Sequence, residues 1–404
     1  MSFEDLSKKL SKLMNNTEEI ELKDVDLFAE YLQLQVLPTV VQTAARATGM
    51  PGAKQLGKAE WTETEFELDL EYPGEIETIQ FIRENGKTCT IGGETVPPFY
   101  NFLGLEKKNP NPPLVTYDVF DMGDKMHLPK PIKLEYEEVL ADPAEWAKFA
   151  IDEYGAECIT FHSLGIDPGT LDWPVKKSRK IFEEILQAVD VPVLIGCSGN
   201  KKKDVKMFKE LAAVCEDDVL LLSAADKGTW EDVVPVAVEY DHNCLLWTSL
   251  DLNNQIKMNK DAMELGLERK RIVMDPTCAT LGYGFEYSFS IYQRMRMAGL
   301  LGEDTLAFPI SGGTTNAWGA REAWMSEEMA METGSRWGAR EYRGPLWEIL
   351  NALCLALVGL DLAMMFHPVS AKHMKDITKE FFAEIPEHLE EEGYYDWVSG
   401  QIKR

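Results

Sequence analysis

The chain has 404 residues, 45% of them hydrophobic, which is enough to bury a large core. Acidic residues outnumber basic ones by 68 to 41, and the formal charge of −27 argues against binding to nucleic acid, whose phosphates it repels. The first dozen residues are polar and charged, and the longest apolar run, residues 353–366, contains Asp361 and is too short to cross a bilayer. The sequence therefore predicts a cytoplasmic protein without a membrane segment.

The cysteines are dispersed and odd in number, which is typical of a protein from a reducing compartment. No two of them have the spacing of a CxxC or CxxxC motif, so we predict that this chain holds no iron–sulfur cluster and no structural zinc. The seven are Cys89, Cys158, Cys197, Cys215, Cys244, Cys278 and Cys354.

Residues 1–85 are predicted to form an N-terminal extension. Apolar residues recur at helical spacing from Phe3 to Leu13, and residues 25–36 predict a second helix. Residues 65–71 alternate between acidic and apolar side chains, which predicts a strand with one acidic face. Within residues 88–96, Gly92 and Gly93 lie between two short β-prone runs, and we expect a tight hairpin with its turn at these glycines.

From about residue 113 to residue 368 the chain repeats one unit, in which a short apolar run is followed by a turn and an amphipathic stretch. Eight such runs over about 250 residues predict an α/β protein, a (β/α)8 TIM barrel. We assign it to residues 86–375, with the hairpin leading and an acidic tail at 376–404. An open doubly wound sheet is the alternative, but it would use fewer strands, and its G-x-G-x-x-G turn is absent. The runs are Leu114–Phe120, 158–163, 192–198, 219–223, 244–249, 271–276, 306–310 and 360–367.

Active sites of such barrels lie at the carboxyl ends of the strands, where this chain carries polar residues but no obvious catalytic set. No lysine lies within a strand, no two histidines have metal-ligand spacing, and no G-x-S-x-G motif is present, so we predict neither catalytic residues nor a metal site. The polar residues are Asp118, Asp121, His162, Ser163, Ser198, Asn200, Ser223, Asp226, Asp251, Asn253, Asp275, Thr277, Ser311 and His367.

Four loops at these ends are predicted to contact a ligand. The paired glycines after the seventh strand either bind a ligand through backbone N–H groups or relieve turn strain. The Asp-Pro-Thr turn either binds a polar group or begins a loop, and the loop with two glycines and a tyrosine either presses against a planar ligand or enters a helix. His367 could be a metal ligand or could cap the end of a strand through a backbone hydrogen bond, and we favour the cap. The predicted binding residues are Asn200, Asp275, Thr277, Gly282, Tyr283, Gly284, Ser311, Gly312, Gly313 and Thr314.

Four segments in this order, residues 91–99, 275–296, 342–348 and 366–368, resemble the small subunit of the corrinoid iron–sulfur protein. The archaeal form of that family is the delta subunit of the acetyl-CoA decarbonylase/synthase complex, and the resemblance covers residues 89–373. It implies a TIM barrel, itself non-catalytic, that pairs as a heterodimer with a larger, gamma-type subunit. That partner holds a [4Fe–4S] cluster and a corrinoid (cobamide), and the barrel covers the corrinoid at the subunit interface.

The family also implies a role in one-carbon metabolism, in the Wood–Ljungdahl pathway or methanogenesis. The methyl group passes from a tetrahydropterin methyltransferase through the corrinoid to acetyl-CoA synthase, which works with carbon monoxide dehydrogenase. Two alternatives stay open. One is a pterin-dependent corrinoid methyltransferase that uses Asp275, Asn200 and either Asp251 or Asn253. The other is a purely architectural subunit that docks through its N-terminal extension and its tail.

Overall fold

The computed structural model describes residues 71–103, 109–332 and 337–382. The two predicted N-terminal helices lie outside these ranges, as does the acidic strand of residues 65–71 except for its last residue. The C-terminal tail is described only up to Phe382, and there a helix, Pro368–Phe382, continues through the boundary predicted at residue 375. Among the described helices, none is both long and apolar enough to cross a membrane.

After the two hairpin strands β1 (Thr78–Ile82) and β2 (Thr88–Gly92), eight parallel strands close into a barrel in which neighbours along the chain pair and the last strand pairs with the first, which confirms the predicted fold class. The first barrel strand, β3 (Leu114–Phe120), is buried at all seven of its residues, as expected for a strand with the barrel interior on one face and helices on the other. The barrel strands are β3 (Leu114–Phe120), β4 (Ile159–His162), β5 (Val193–Gly196), β6 (Leu221–Ala225), β7 (Asn243–Trp247), β8 (Ile272–Asp275), β9 (Ile310–Gly313) and β10 (Leu360–Met365).

Helices follow the strands and pack around the barrel. The second helix begins at an N-cap, because the Asp142 carboxylate accepts hydrogen bonds from the Ala144 and Glu145 N–H groups that follow Pro143. The described helices are α1 (Lys130–Tyr136), α2 (Pro143–Tyr154), α3 (Val175–Ala188), α4 (Lys201–Ala212), α5 (Trp230–Glu239), α6 (Leu252–Glu264), α7 (Phe285–Leu300), α8 (Arg321–Trp324), α9 (Glu327–Glu332), α10 (Arg340–Ala356) and α11 (Pro368–Phe382).

The seventh barrel strand lies further along the chain than predicted. The prediction of a strand at 306–310 was wrong, because Asp304–Leu306 forms a 3-10 turn and strand β9 begins only at Ile310. Pro309 has no N–H to give to a neighbouring strand, although its carbonyl accepts a bond of 2.9 Å from the Met274 N–H. Ser311, Gly312 and Gly313 are therefore part of the strand and not a loop that follows it.

The leading hairpin also differs from the prediction. Strands β1 (Thr78–Ile82) and β2 (Thr88–Gly92) pair antiparallel, and their turn contains Asn85 and Gly86 rather than Gly92 and Gly93. The Asn85 side chain accepts a bond of 2.8 Å from the Lys87 N–H, and Gly86 has a φ of +86°, so these two residues supply the turn geometry. The boundary predicted between residues 85 and 86 thus falls inside the turn.

The hairpin closes the N-terminal end of the barrel. Ile79, Phe81 and Ile91 are fully buried and pack in one cluster with residues that point into the barrel, among them Leu114 and Leu362. The Asn243 side chain adds a hydrogen bond of 2.9 Å to the Gln80 carbonyl. This end of the barrel is a continuous apolar core.

A buried ion triad joins the loop after the hairpin to the barrel wall. Arg296 on helix α7 places its guanidinium 3.2 Å from the Glu94 carboxylate and against the Asp361 carboxylate. The same guanidinium donates a bond of 2.9 Å to the Gly359 carbonyl. Because all three charged side chains are almost fully buried, removing Arg296 leaves two carboxyls in the core without a cation.

Candidate functional site at the barrel mouth

The inward-facing residues at the carboxyl ends of the strands form one layer at the open end of the barrel, here called the mouth layer. Side chains alternate along a strand, so residues on the same side as the interior residues Leu245, Val273 and Leu362 point inward. Strand β6 is left out because its pairing with β7 shifts register after Leu222, and the mouth layer consists of one residue from each of the other seven strands: Asp118, His162, Gly196, Trp247, Asp275, Gly313 and Met364.

Asp118 and His162 form a pair at the centre of this layer. The His162 Nε2 atom is 3.0 Å from Asp118 Oδ1, but the orientation is not that of a hydrogen bond and both atoms lack a hydrogen-bond partner. The other Asp118 oxygen accepts a hydrogen bond from the Thr315 hydroxyl. The His162 ring stacks on Phe120, with ring centroids 4.8 Å apart. The aromatic ring thus positions His162, while the Thr315 hydroxyl positions Asp118.

Gly196 makes room for this histidine. A Cβ atom at Gly196 would overlap the Nδ1 atom of His162, so strand β5 must end in glycine for the imidazole to occupy its place. The His162 side chain keeps 19% of its surface exposed, whereas Asp118 is 1% exposed. The pair therefore presents the imidazole to the mouth with its carboxylate hidden behind it.

Asp275 ends strand β8 and is the second buried carboxyl of the mouth. It accepts a hydrogen bond of 2.8 Å from the Thr277 N–H, and Thr277 donates its hydroxyl to the Thr248 carbonyl at 2.8 Å. Burial raises the pKa of Asp275 to about 7, and no lysine or arginine among the described residues pairs with this carboxyl. Near neutral pH the group is therefore only partly ionised, and it can donate a proton as well as accept a hydrogen bond.

His367 and Glu348 lie behind strand β10. Glu348 on helix α10 accepts bonds from the Phe366 and His367 N–H groups at 2.6 and 3.1 Å, and burial raises its pKa to about 8. The His367 ring stacks on Trp318, with centroids 5.7 Å apart, and burial lowers its pKa to about 4. His367 thus closes the end of the strand through its backbone, with a neutral ring packed in the core.

The predicted binding residues separate into several places. Ser311 and Thr314 are buried near the barrel interior, where Thr314 donates its hydroxyl to the Met364 carbonyl at 3.0 Å and the Ser311 hydroxyl has no partner. Gly312 points outward, and a Cβ there would come 2.6 Å from the Tyr292 hydroxyl on helix α7. The lack of a side chain at Gly312 is thus explained by packing.

The remaining predicted residues act at helix starts. Asn200 caps helix α4 by accepting a bond of 3.3 Å from the Lys203 N–H. Gly282 and Gly284 have φ values of +80° and +95° in the loop that enters helix α7, and the exposed Tyr283 donates its hydroxyl to Glu322 at 2.8 Å. Hydrogen bonds that join Leu281 to Asn351 and Trp347 attach this loop to helix α10, and the loop does not belong to the mouth layer.

The described residues contain no group of three or more histidine, cysteine, aspartate or glutamate side chains that could hold a metal ion. All seven cysteines lie in the described ranges, and all are free thiols.

Two features of the mouth were not singled out from the sequence. Trp247 lies inside a predicted strand, and only its parity with Leu245 places it in the mouth layer. The pairing of Asp118 with His162 joins residues 44 positions apart, which spacing does not reveal. Once eight strands are assigned, the parity of the polar and aromatic residues near each carboxyl end is the signal that points to both.

Comparison with known proteins identifies the family of this chain. The family model described as CO dehydrogenase/acetyl-CoA synthase delta subunit matches residues 79–333. The chain belongs to this delta-subunit family. The delta subunit of the acetyl-CoA decarbonylase/synthase complex of Methanocaldococcus jannaschii is 38% identical over 400 residues, which cover 96% of each chain. The corresponding delta 2 subunit of Methanosarcina acetivorans is 44% identical over 319 residues, covering 78% of this chain and 71% of that subunit.

Solved structures similar to this member of the delta-subunit family include the dihydropteroate synthase of Xanthomonas albilineans with 4-aminobenzoic acid. It is 13% identical, with a TM-score of 0.47, and the match covers 76% of this chain and 99% of that one.

Proposed function

We propose that this delta-family chain is the small subunit of a corrinoid iron–sulfur methyl carrier and that its barrel mouth covers a cobamide held by a larger, gamma-type subunit. In this role it assembles with that subunit in the acetyl-CoA decarbonylase/synthase complex, beside acetyl-CoA synthase, carbon monoxide dehydrogenase and the methyltransferase. The observation that carries the proposal is a mouth layer with buried polar groups left unsatisfied, in a chain of this family.

The side chains of the mouth suit a flat ring that carries amide groups. Because a barrel interior is filled with side chains, a corrin ring has to lie across the mouth. Gly313 and Met364 offer a low surface, and Trp247 offers an exposed indole face. The buried Ser311 hydroxyl, which has no partner, and the Asp275 carboxyl can hydrogen-bond to the carboxamide side chains of such a ring.

The bound cobamide would supply the cobalt centre that accepts and gives up the methyl group. This chain would bind one side of the ring, orient it and exclude water from it. Asp275 would accept or donate a hydrogen bond at the mouth, within a surface that has to release the ring to successive partners.

The distribution of cysteines supports a division between two polypeptides. Since a [4Fe–4S] cluster takes four thiolates and the described part of this chain holds no such group, the cluster is assigned to the gamma-type subunit. The His162 Nε2 faces Asp118 rather than the solvent, which suits a histidine that is not a cobalt ligand.

Co-purification with the gamma-type subunit tests the proposal. The chain expressed alone should be colourless, and the complex should show the absorbance of a cobamide together with that of an iron–sulfur cluster. Gly313→Val should lower the cobamide content of the complex, because the new side chain points into the mouth and its Cβ meets only Asn316, at 3.8 Å. Gly319→Val is the matched control, since no atom lies within 4 Å of its Cβ.

Two results would contradict the proposal. One is a complex whose cobamide content and spectrum are the same with or without this chain, which would favour the architectural role. The other is methyl transfer from a methyl-tetrahydropterin to free cobalamin by the purified chain alone, which would favour the pterin-dependent methyltransferase.

A further inference from the structure

Two cysteines meet at the closed end of the barrel. Cys89 lies on strand β2, on the same face of the hairpin as the buried Ile91, and Cys158 directly precedes strand β4. The Cys89 thiol donates to the Glu157 carbonyl at 3.2 Å, and a hydrogen bond joins it to the Cys158 thiol. The two thiols are therefore neighbours in space, although one belongs to the hairpin and the other to the barrel wall.

The two thiols have different environments. Cys89 is half-buried, whereas Cys158 is fully buried. The hydrogen bond with Cys158 lowers the pKa of Cys89, and burial raises the pKa of Cys158 well above its usual value. An accessible thiol with a lowered pKa beside a second, buried thiol is the arrangement of an attacking cysteine with its resolving cysteine.

A cavity opens beside Cys89, between strand β2 and helix α11. Its volume is about 450 Å³, which lies within the range of small-molecule sites. Three lysines line it, Lys87, Lys375 and Lys379, whereas Glu157 is the carboxylate of the lining. The walls are thus basic in a chain whose net charge is −27, which favours an anionic ligand at this place.

Lys375 is the cation available to such a ligand. Lys379 is paired with Glu157 at 2.5 Å, and Lys87 is paired with an aspartate outside the lining. Lys375 donates to the Gly155 carbonyl at 2.5 Å and makes no ion pair within the described residues. Its ammonium group can therefore form a charge-assisted hydrogen bond to a carboxylate, sulfonate or phosphate on a ligand.

We propose that Cys89 and Cys158 form a dithiol that exchanges with a small anionic disulfide bound in this cavity. The Cys89 thiolate attacks one sulfur of the ligand, the S–S bond of the ligand breaks, and half of the ligand leaves as a thiol. Cys158 then loses its proton and attacks the Cys89 sulfur, which forms the protein disulfide and releases the second half. Two electrons pass to the ligand, and the protons of the two protein thiols end on the two released thiols.

The product would be a disulfide between strand β2 and the start of strand β4. It would tie the hairpin to the barrel wall under oxidising conditions, and the reverse exchange with small thiols would release it. A disulfide of this kind is transient in a reducing compartment, where such bonds act as redox sensors.

Reaction of the full chain with oxidised glutathione, an anionic disulfide, tests the proposal, and cystamine is the cationic disulfide for comparison. The intact mass should fall by two hydrogens with no thiol added, and peptide mapping without reduction should link Cys89 to Cys158. Each rate is divided by the rate of the same disulfide with free cysteine. On this scale oxidised glutathione should react at least about threefold faster than cystamine.

Cys158→Ser should stop the reaction at the mixed disulfide, so that Cys89 keeps one glutathione and the mass rises accordingly. Cys354→Ser is the matched control, because Cys354 is also a half-buried free thiol but lies on helix α10, outside the cavity. It should form the same internal disulfide as the unaltered chain. Cys89 and Cys158 that stay as thiols, or a disulfide that joins other cysteines, would overturn the proposal.

Lys375→Gln tests the charge of the ligand. It should slow the reaction with oxidised glutathione by about three- to tenfold, the size expected for one charge-assisted contact, and leave the rate with cystamine unchanged. Lys372→Gln is the control, since Lys372 lies on the same helix, outside the lining, and is paired with Asp376 at 2.7 Å. Equal rates of Lys375→Gln and Lys372→Gln with oxidised glutathione would overturn the assignment of an anionic ligand. Since no gamma-type subunit and no cobamide are present, failure here leaves the proposed function untouched.

Discussion

The buried carboxyls at the two ends of the barrel have different contacts. At the closed end, Glu94, Asp361 and Asp218 each contact an arginine, with Arg83 and Asp218 2.5 Å apart. At the mouth, Asp275 accepts a backbone N–H, and behind strand β10 Glu348 accepts two, while no described lysine or arginine contacts either carboxyl.

This difference indicates that the carboxyls at the closed end stabilise the fold, whereas those near the mouth are available to a ligand. Contact with a buried arginine offsets part of the cost of burying a carboxylate, although burial still raises the pKa of Asp361 well above its usual value. A carboxyl without a cation, such as Asp275, keeps hydrogen-bonding capacity for a ligand. The closed end thus serves the fold, while the mouth retains unsatisfied groups at some cost in stability.

The largest effect should come from Arg296→Met at the closed end. The substitution leaves Glu94 and Asp361 buried without their cation, and it should lower the free energy of unfolding by about 3–5 kcal/mol. Arg294→Met on the same helix is the control, because Arg294 is exposed and should change stability little. Urea denaturation measures both, and equal stabilities would mean that the triad does not hold the hairpin.

Phe81→Ala should have the next largest effect on the free energy of unfolding. The ring is fully buried in the apolar cluster that closes the barrel, so its removal should cost about 3–4 kcal/mol. Gln80→Ala, at the neighbouring exposed position of strand β1, is the control. Should Phe81→Ala unfold at the same urea concentration as Gln80→Ala, the hairpin would not be part of the barrel core.

Asp275→Asn should reveal the cost of the unpaired carboxyl at the mouth. The folded-state pKa of about 7 lies above the usual value of 3.8, so the folded chain binds the proton more tightly. This contribution to stability is complete below about pH 4 and is lost as the pH rises through about 7.

The variant should therefore be more stable than the unaltered chain by on the order of 2 kcal/mol at about pH 8, and the difference should vanish at about pH 4. Denaturation curves across this pH range measure it. The variant is compared with the unaltered chain because Asp121, with a pKa of about 6, and Glu348, at about 8, contribute the same slope to both. A constant difference across the range would show that Asp275 is ionised throughout.

Trp247→Leu should have the smallest effect on stability, within about 1 kcal/mol, because the indole is only partly buried and is replaced by an apolar side chain. Thermal unfolding compares it with Leu246→Ala, the buried neighbour on the same strand, which should lose about 2–5 kcal/mol. If the two were equally destabilising, Trp247 would be a core residue and not a surface for a ligand.

The barrel could be predicted because its strands are buried on both faces, so each appears as a short apolar run between helical segments. The strand register and the positions of the turns were harder to predict from the sequence. The apolar run before Pro309 suggested a strand, but a proline cannot donate to the sheet, and pairing begins after it. The two glycines at 92 and 93 suggested the hairpin turn, which Asn85 and Gly86 provide.

The candidate site was only partly predictable for the same reason. Asp118, His162 and Asp275 were recognised as polar residues at strand ends, but the contact between Asp118 and His162 depends on barrel closure. The glycine at 312 illustrates the opposite error, because a residue expected at a cofactor instead makes room for Tyr292. Sequence reveals which residue types lie at the mouth, whereas side-chain direction decides which of them a ligand can meet.

The central claim is that the barrel mouth covers one side of a cobamide held by another polypeptide. The rate at which cyanide replaces the ligand on the cobalt of the gamma-type subunit, followed by absorbance with and without this chain, tests it most directly. Covering the ring should slow the exchange by about tenfold or more, equivalent to at least ~1.4 kcal/mol of added barrier. A stable complex in which exchange is as fast as in the gamma-type subunit alone would contradict the account.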